Sequence, residues 1–364
     1  MKRILLLFSL ISMLSCQTSH DCSYQAPVDL SDGLTVSTLE AHHFNVSLFD
    51  SINKDICEGK YGNIHDLLII ADNDLVVEQY YNGRDKDQLH FLASNTKSFN
   101  AVLTGIAIAQ GKIKDVNQKM SDYFPEFEAI EKDSLKRLIT IQHLLTMTSG
   151  FKWDELSLPF DDPDNMGVRT DQSDNWLNAS LSLNMDTMPG TEYVYCGPNS
   201  IILGEIIKRS TGQDIAQFAE ENLFKPLNID KYDWFSKNGI YETGGGLKLK
   251  PRDIAKYGLL HLNKGKWNGA EIVPADWIEQ TFDPFIEIRH PFYSCYQWQM
   301  VKTESGYNSW FIPGNGGQII DIIPALNLVI VINADNRNIP KNERTPLEYL
   351  VKDIEKLFTV SENR

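Results

Sequence analysis

A serine and a lysine three residues apart occur three times in the sequence, and such a pair can act as a nucleophile with its own base. The pairs are Ser51 with Lys54, Ser94 with Lys97, and Ser149 with Lys152. Spacing i, i+3 places both side chains on one face of a helix. A serine at a helix start also lies beside free backbone N–H groups, which stabilise an oxyanion. The lysine accepts a proton only if burial lowers its pKa.

The surroundings of the three pairs differ, and they favour Ser94. This serine directly precedes an apolar helical pattern over residues 99–107, so we expect Lys97 to be desolvated and its pKa to fall. Ser51 lies among charged residues, which would leave its lysine solvated and charged. Ser149 closes a predicted helix, the wrong end for oxyanion stabilisation. The alternative reading of Ser94 is a capping serine at an ordinary helix start.

Strand-like segments lie at both ends of the chain and helical segments lie between them. Residues 65–83 give two apolar runs around Asp72-Asn73-Asp74, the pattern of a β-hairpin. Residues 316–337 predict two buried strands, and 345–358 predicts a terminal helix with proline at its start. Further helical patterns are found at 139–150 and 199–212. We therefore predict an α/β fold of the α+β type, in which one sheet of distant segments carries a helical insertion.

Five ordered segments resemble one family of enzymes. They are "LASNTKSFNAVLTGIAIAQGKI", "ITIQHLLTMTSGFKWDE", "MPGTEYVYCGPNSIILGEIIKRSTG", "GGGLKLKPRDIAKYGLLHLNKGKW" and "PGNGGQIIDIIPALNLVIVIN". Together, over about residues 60–335, they resemble the serine hydrolases related to class C β-lactamases and DD-peptidases. The resemblance is closest to the branch of esterases and 6-aminohexanoate-oligomer hydrolases. It implies an antiparallel sheet flanked by helices, with an inserted all-helical subdomain.

The resemblance also assigns roles to residues. Ser94 would be the acylated nucleophile and Lys97 its partner. Tyr195 would assist proton transfer and later activate water, because the Lys97 cation would lower the pKa of the tyrosine enough for it to act as a base. The alternative is that Tyr195 is a buried aromatic of the core. The backbone N–H of Asn315 would complete an oxyanion hole with that of Ser94, in a turn whose glycines let the strand edge approach the substrate. Those glycines are Gly314 and Gly316, whereas we expect Gly244, Gly245 and Gly246 to form a structural loop.

Two departures from the family pattern bear on the substrate. The family's Tyr-x-Asn motif is Tyr195-Cys196-Gly197 in this sequence, so the side-chain amide that binds a β-lactam or peptide amide is missing. Asn199, two residues later, is the candidate to replace it. The Lys-Thr-Gly or His-x-Gly triplet reads Ile312-Pro313-Gly314, so the cation that holds a substrate carboxylate is replaced by an apolar residue. We expect an apolar pocket, and its candidate lining residues are Trp153, Trp298 and Trp310.

The N-terminus is predicted to be a targeting signal. Residues 1–15 combine a basic head with a short apolar run, and the run ends at Cys16 in a pattern that resembles a bacterial lipobox. Met13 is atypical for that motif, so cleavage without lipidation is the alternative. We expect an exported protein, in the periplasm or on the outer surface, that is anchored by lipidated Cys16. Residues 16–45 would form a tether and 46–360 the hydrolase domain, with 96–235 mostly its helical subdomain.

Composition excludes some classes of protein. The net charge is −15 and no basic cluster offsets it, so nucleic acid is not an expected partner. The sequence holds no zinc motif, phosphate-binding loop or Gly-x-Ser-x-Gly elbow, and we expect no metal or organic cofactor. In an exported protein Cys22 can pair with Cys57, although sequence does not establish the connectivity. The oligomeric state stays open.

The sequence thus predicts a serine hydrolase that cleaves a carboxylic ester or amide by a Ser-Lys-Tyr acyl-enzyme mechanism. One alternative is a β-lactamase or DD-peptidase that uses other residues to recognise the carboxylate of its substrate. A penicillin-recognising fold kept as a sensor or binding protein without turnover is the other.

Overall fold

The strands of the protein come mainly from the two ends of the chain. A computed structural model describes residues 22–359. Its strands are β1 (Thr35–Val36), β2 (Ile64–Ala71), β3 (Asp74–Tyr80), β4 (His90–Phe91), β5 (Asp233–Trp234), β6 (Ser236–Lys237), β7 (Ile240–Tyr241), β8 (Leu247–Leu249), β9 (Lys266–Trp267), β10 (Ala270–Glu271), β11 (Ile286–Arg289), β12 (Phe292–Ser294), β13 (Gln299–Lys302), β14 (Asn308–Pro313), β15 (Ile319–Ile323) and β16 (Leu328–Ala334).

Nine of these strands form one sheet in the order β1-β3-β2-β16-β15-β14-β13-β12-β11. Every pair in it is antiparallel except β1 with β3. The hairpin of β2 and β3 joins the last strand of the chain where β2 pairs with β16, as expected for a sheet of distant segments. The smaller sheets in the described residues are β4-β8-β5, β9-β10 and β6-β7. The predicted fold class, an antiparallel sheet with flanking helices and a helical insertion, is confirmed.

The helices lie on both faces of the sheet and in the insertion. They are α1 (Val46–Cys57), α2 (Thr96–Ala109), α3 (Glu128–Glu131), α4 (Ile141–Leu145), α5 (Met166–Gln172), α6 (Trp176–Leu181), α7 (Gly197–Thr211), α8 (Ile215–Ala219), α9 (Pro251–Leu262), α10 (Ala275–Phe282) and α11 (Leu347–Thr359). Residues 96–235 contain α2 to α8, and the described strands resume there only at β5. None of the helices in residues 22–359 has the length and apolar character needed to cross a bilayer.

The sheet separates two apolar cores because successive side chains of a strand point to opposite faces. In β2, Leu68 and Ile70 belong to one apolar core that also contains residues of α2, α7 and α9, whereas Leu67 and Ile69 belong to a second core with residues of α1 and α11. The strand is therefore apolar on both faces, which explains why its sequence reads as a continuous run rather than an alternation. The predicted hairpin is confirmed, with Asp72 and Asn73 at positive φ in its two-residue turn.

Residues 22–45 are part of the folded unit, so the prediction of a tether over 16–45 is wrong for this part. β1 joins the main sheet beside β3, and the Tyr24 hydroxyl donates a hydrogen bond to the β3 backbone (2.8 Å). A disulfide joins Cys22 to Cys57 at the end of α1, the pairing that the sequence suggested. A two-residue strand leaves no periodic signal, which is why the sequence did not predict it.

Candidate active site

Ser94 lies in a short 3₁₀ helix, Ala93–Asn95, that connects β4 to α2. The residue before it, Ala93, has a φ of +47°, a left-handed conformation that is costly for a residue with a Cβ. This sharp turn sets Ser94 at the start of α2, where the sequence placed it. The helix itself is buried on all sides from Thr96 to Ala107, rather than on one stripe, because it runs through the middle of the insertion.

The Ser94–Lys97 pair and Tyr195, which lies 101 residues after Ser94, meet at the Ser94 hydroxyl. Tyr195 OH donates a hydrogen bond to Ser94 Oγ over 2.6 Å, and Lys97 Nζ donates to the same oxygen over 3.2 Å. The Lys97 ammonium also lies 5.0 Å from the centroid of the Tyr195 ring. Tyr195 precedes α7, which packs against α2, so the contact between these two helices brings the three side chains together.

The prediction that the pKa of Lys97 falls is wrong. Burial does lower the pKa of this lysine, but Tyr195, Glu155 and Glu242 together outweigh burial and raise it above its ordinary value. Lys97 is therefore held as a cation at neutral pH. Its ammonium can support the Ser94–Tyr195 pair electrostatically.

The triglycine loop contacts this cation, which corrects our expectation of a purely structural role. Lys97 Nζ donates a hydrogen bond to Gly244 O over 2.6 Å. The backbone N–H of the same glycine donates to Glu242 Oε1 over 2.9 Å, so this carboxylate helps to position the residue whose carbonyl accepts the hydrogen bond from Lys97. Burial raises the pKa of Glu242 to about 7, Lys97 opposes this rise, and Asp171 and Glu155 add to it.

Two cavities meet at Ser94 and Lys97. The larger has a volume of about 190 Å³ and is lined by Trp153, Phe160 and Ile201, together with the carboxylates of Glu155, Asp171 and Glu242. The smaller has a volume of about 20 Å³ and contains Tyr195, Met147, Trp298 and Ile312. The three carboxylates were not predictable from the sequence, because they lie on three separate segments and no spacing marks them as a set.

A family model and two curated relatives identify the type of protein. The model described as Beta-lactamase matches residues 66–354. The chain belongs to the Beta-lactamase family. It is 25% identical over 226 residues to "6-aminohexanoate-dimer hydrolase" of Paenarthrobacter ureafaciens, which covers 59% of this chain and 56% of the relative. It is 27% identical over 230 residues to "Beta-lactamase" of Escherichia coli K12, and this match covers 59% of this chain and 55% of the relative. The chain thus spans little more than half the length of these relatives.

A solved structure shares the fold of this chain. The penicillin binding protein from Bacillus halodurans superposes with a TM-score of 0.67 at 16% identity, covering 84% of this chain and all of that one. At this identity the likeness shows the fold alone.

The departure at Gly197 has a structural counterpart. Where the Beta-lactamase family pattern expects an asparagine side chain, the Glu155 carboxylate fills the space, since a Cβ on Gly197 would lie 2.9 Å from Glu155 Oε2. That oxygen accepts hydrogen bonds from Gly197 N (3.0 Å) and Trp153 Nε1 (2.7 Å). Asn199 does not replace the missing amide: it is buried, its Nδ2 faces Met147 Sδ, and it lines neither cavity.

The end of β14 borders the smaller cavity, and the turn that follows it borders the larger one. Ile312 and Pro313 line the smaller one, and Asn315 lines the larger one. Within residues 22–359, no backbone oxygen accepts a hydrogen bond from the Asn315 N–H. Gly314 is required for space, because a Cβ there would lie 2.6 Å from Gln318 Oε1, and Gly316 has a φ of +120° that disfavours other residues.

The remaining predicted residues divide between the site and its surroundings. Trp310 lines neither cavity and donates to Phe282 O instead (2.7 Å). Ser51 and Ser149, the serines of the other two Ser-x-x-Lys pairs, line neither cavity. Cys16 and the predicted signal lie outside the described residues. In the part of the chain that the structure describes, no three His, Cys, Asp or Glu side chains are grouped to hold a metal ion.

Proposed function

We propose that the protein is a serine hydrolase that cleaves a carboxylic ester or amide through an acyl-enzyme on Ser94. The observation that carries this proposal is the double hydrogen bond on Ser94 Oγ, from Tyr195 OH at 2.6 Å and Lys97 Nζ at 3.2 Å. These distances are within the reach expected of a nucleophile and the groups that move its proton. The family assignment supports the same class of chemistry.

In its reacting form, the Tyr195–Lys97 pair has released one proton to solvent, and the Lys97 ammonium stabilises the resulting Tyr195 oxygen. In the proposed first step, Ser94 Oγ bonds to the substrate carbonyl carbon and its proton passes to this oxygen. The carbonyl oxygen becomes an oxyanion, which the backbone N–H groups of Ser94 and Asn315 stabilise. The pair then returns the proton to the leaving alcohol or amine as its bond to carbon breaks. In the second step a water gives its proton to the pair and its oxygen to the acyl carbon, and Ser94 regains a proton.

The lining of the site favours esters or unactivated amides over β-lactams. Ile312 stands where the family pattern carries a cation for the substrate carboxylate, and Gly197 replaces the family's amide. Arg337 borders the larger cavity, but it donates two hydrogen bonds to Asp335, at 2.8 Å and 2.9 Å. The relative named 6-aminohexanoate-dimer hydrolase supports an amide or ester substrate, whereas the relative named Beta-lactamase keeps that activity as the second candidate.

Comparing nitrocefin with short-chain p-nitrophenyl esters separates these two functions. We expect kcat/KM for the esters to be at least about 100-fold higher than that for nitrocefin. The family's side chains that bind a β-lactam are absent at Gly197 and Ile312, and each missing contact to a charged group costs about tenfold or more. Rapid nitrocefin turnover would overturn the preference. A fluorophosphonate probe separates either enzyme from a binding protein without turnover. We expect it to label the wild type and not Ser94→Ala, and an unlabelled, folded wild type favours the sensor.

We also propose that the protein is exported and anchored through a lipid on Cys16. The basic head, apolar run and following cysteine of residues 1–16 support this. Expression in a bacterial host with labelled palmitate tests it. Label on the wild type and none on Cys16→Ala is the expected result, and an unlabelled, exported wild type indicates simple secretion.

A further inference from the structure

The turn that carries the Asn315 N–H packs around one buried side chain, that of Gln318. Gly314 and Gly316 flank Asn315, and a Cβ on either glycine would meet the Gln318 amide. The distance would be 2.6 Å to Oε1 from Gly314 and 3.1 Å to Nε2 from Gly316. The Gln318 backbone carbonyl also accepts a hydrogen bond from Gly314 N over 2.7 Å. Gln318 thus contacts both neighbours of Asn315 and restricts the path of the backbone through it.

Gln318 is anchored to the last strand of the main sheet. Its Nε2 donates a hydrogen bond to Ala334 O, at the end of β16, over 2.9 Å. A second hydrogen bond holds the turn to the same part of the chain, since Asn336 N donates to Gly316 O over 2.8 Å. The position of the turn is therefore fixed relative to the sheet.

Asn95 contacts the same turn from the segment that carries the nucleophile. Asn95 directly follows Ser94 and is fully buried, and its Nδ2 donates a hydrogen bond to Leu92 O over 3.1 Å. The same Nδ2 lies 3.0 Å from the position that a Cβ on Gly314 would take. The space beside Gly314 is therefore filled by two side-chain amides, one from each segment of the predicted oxyanion hole.

The hydrogen bonds of these two amides indicate a role in positioning rather than in filling space. Within residues 22–359, Asn95 Oδ1 and Gln318 Oε1 are buried and have no hydrogen-bond donor. A buried amide oxygen without a donor is unfavourable, and an apolar side chain would fill the same space without that penalty. What the amides add is directional, because one donates to Leu92 O and the other to Ala334 O. Neither side chain lines a cavity, so neither contacts the substrate directly.

We propose that Asn95 and Gln318 are positioning residues that set the separation between the two oxyanion donors, the N–H groups of Ser94 and Asn315. This inference rests on the proposed serine hydrolase function and adds the residues that hold its oxyanion hole. The two donors lie on separate elements, the 3₁₀ helix before α2 and the turn after β14, and the contact of Asn95 with Gly314 joins these elements. Such donors stabilise the transition state only if both are in place when the charge develops.

A matched pair of substrates tests the proposal. In p-nitrophenyl butanoate the carbonyl oxygen enters the hole, whereas its thionoester has a sulfur there, which is larger and accepts hydrogen bonds weakly. In Gln318→Met and Asn95→Ala we expect kcat/KM for the ester to fall by about 10- to 100-fold, through kcat rather than KM, since a misplacement of about 1 Å has an effect of this size. The thionoester gains less from the hole, so the ester-to-thionoester ratio of kcat/KM should fall by about tenfold.

Two other buried amides provide matched controls. Gln79 Nε2 donates to a backbone carbonyl, Gln25 O, over 2.8 Å, and Asn53 Nδ2 donates to Cys22 O over 2.7 Å. Neither residue lines a cavity. Gln79→Met and Asn53→Ala make the same chemical changes outside the site, so both should keep the wild-type ester-to-thionoester ratio even if their stability falls. The ratio is independent of how much active protein each preparation contains.

Variants with milder changes keep the test decisive if the first pair does not fold. Gln318→Leu also removes the amide of Gln318, and Asn95→Ser leaves a shorter polar side chain at Asn95. We expect a fall of the ester-to-thionoester ratio in both, and circular dichroism establishes that each is folded.

Failure of this proposal differs from failure of the proposed function. Ester turnover by the wild type with an unchanged ratio in the Gln318 and Asn95 variants overturns the positioning role alone, as does an equal fall of the ratio in the controls. If the wild type hydrolyses no ester, the hydrolase function fails, and the rate at which a fluorophosphonate labels Ser94 then tests the two residues, since the phosphonyl oxygen occupies the same hole. Slower labelling of Gln318→Met than of Gln79→Met supports the role, and equal rates or no labelling refute it.

Discussion

Replacing Lys97 by methionine tests whether its ammonium takes part in the chemistry. Its Nζ lies 3.2 Å from Ser94 Oγ and 2.6 Å from Gly244 O, and the side chain is 5% exposed. Methionine has a similar length and no charge, so it removes the cation and leaves most of the packing. A positioned proton-transfer group contributes about 100- to 10,000-fold to rate. We therefore expect kcat/KM on a short-chain p-nitrophenyl ester to fall by that factor, or about 3–5 kcal/mol of activation free energy.

A second buried lysine provides a matched control. Lys136 is 4% exposed and its Nζ donates to a backbone carbonyl, Leu181 O, over 2.9 Å, but it lines neither cavity. Lys136→Met makes the same chemical change without touching the site, so its kcat/KM should stay near that of the wild type even if its stability falls. Circular dichroism establishes that both variants are folded.

Two outcomes would contradict this reasoning. A folded Lys97→Met variant with kcat/KM within tenfold of the wild type means that the ammonium is not needed for proton transfer. An equal loss of activity in Lys136→Met means that the loss reflects general damage to the fold rather than the chemistry of Lys97.

Three further changes test the site and the fold. Tyr195→Phe removes the hydroxyl that lies 2.6 Å from Ser94 Oγ, and we expect a loss of about 100-fold or more in ester kcat/KM. Burial raises the pKa of Asp66 from 3.8 to about 8, so the folded wild type loses stability as pH rises between these values. The unfolding free energy of Asp66→Asn relative to that of the wild type should therefore rise with pH, by at most about 1.4 kcal/mol per pH unit in that window. Urea unfolding at pH 5 and pH 7 measures this difference. Cys57→Ser opens the disulfide with Cys22, whose separation of 35 residues predicts a loss of about 4 kcal/mol in unfolding free energy.

Each of these predictions has an opposing result. Tyr195→Phe with nearly full activity removes Tyr195 from the proton path. An Asp66→Asn variant whose stability relative to the wild type does not change with pH shows that Asp66 does not titrate in this range. A Cys57→Ser variant as stable as the wild type means that the reduced chain holds residues 22–45 in place without the cross-link.

The parts of the site that follow from local sequence were predictable. Spacing i, i+3 at a helix start marks Ser94 and Lys97, and the resemblance adds Tyr195 and Asn315. The carboxylates of Glu155 and Glu242 were not predictable, because Glu155 reaches the site through Gly197 of α7 and Glu242 through Gly244, and neither contact has a local sequence signal. The direction of the Lys97 pKa shift depends on those same carboxylates, which is why burial alone gave the wrong sign.

The fold shows the same division. The hairpin of β2 and β3 has a local turn signal, and the long apolar runs of β15 and β16 identify buried strands. In contrast β1, β4 and β8 have two or three residues each, too few to show any period, and they exist because a neighbouring strand pairs with them. β4 matters most for function, since its pairing with β8 fixes the turn that presents Ser94.

The most direct test of the central claim is to find the covalent intermediate. The enzyme is mixed with a p-nitrophenyl ester, quenched in acid within the first turnover, digested and analysed by mass spectrometry. We predict that the acyl group is attached to Ser94 and is absent from Ser94→Ala treated in the same way. An acyl group on another residue, or steady ester hydrolysis by the Ser94→Ala variant, would contradict the assignment of Ser94 as the nucleophile.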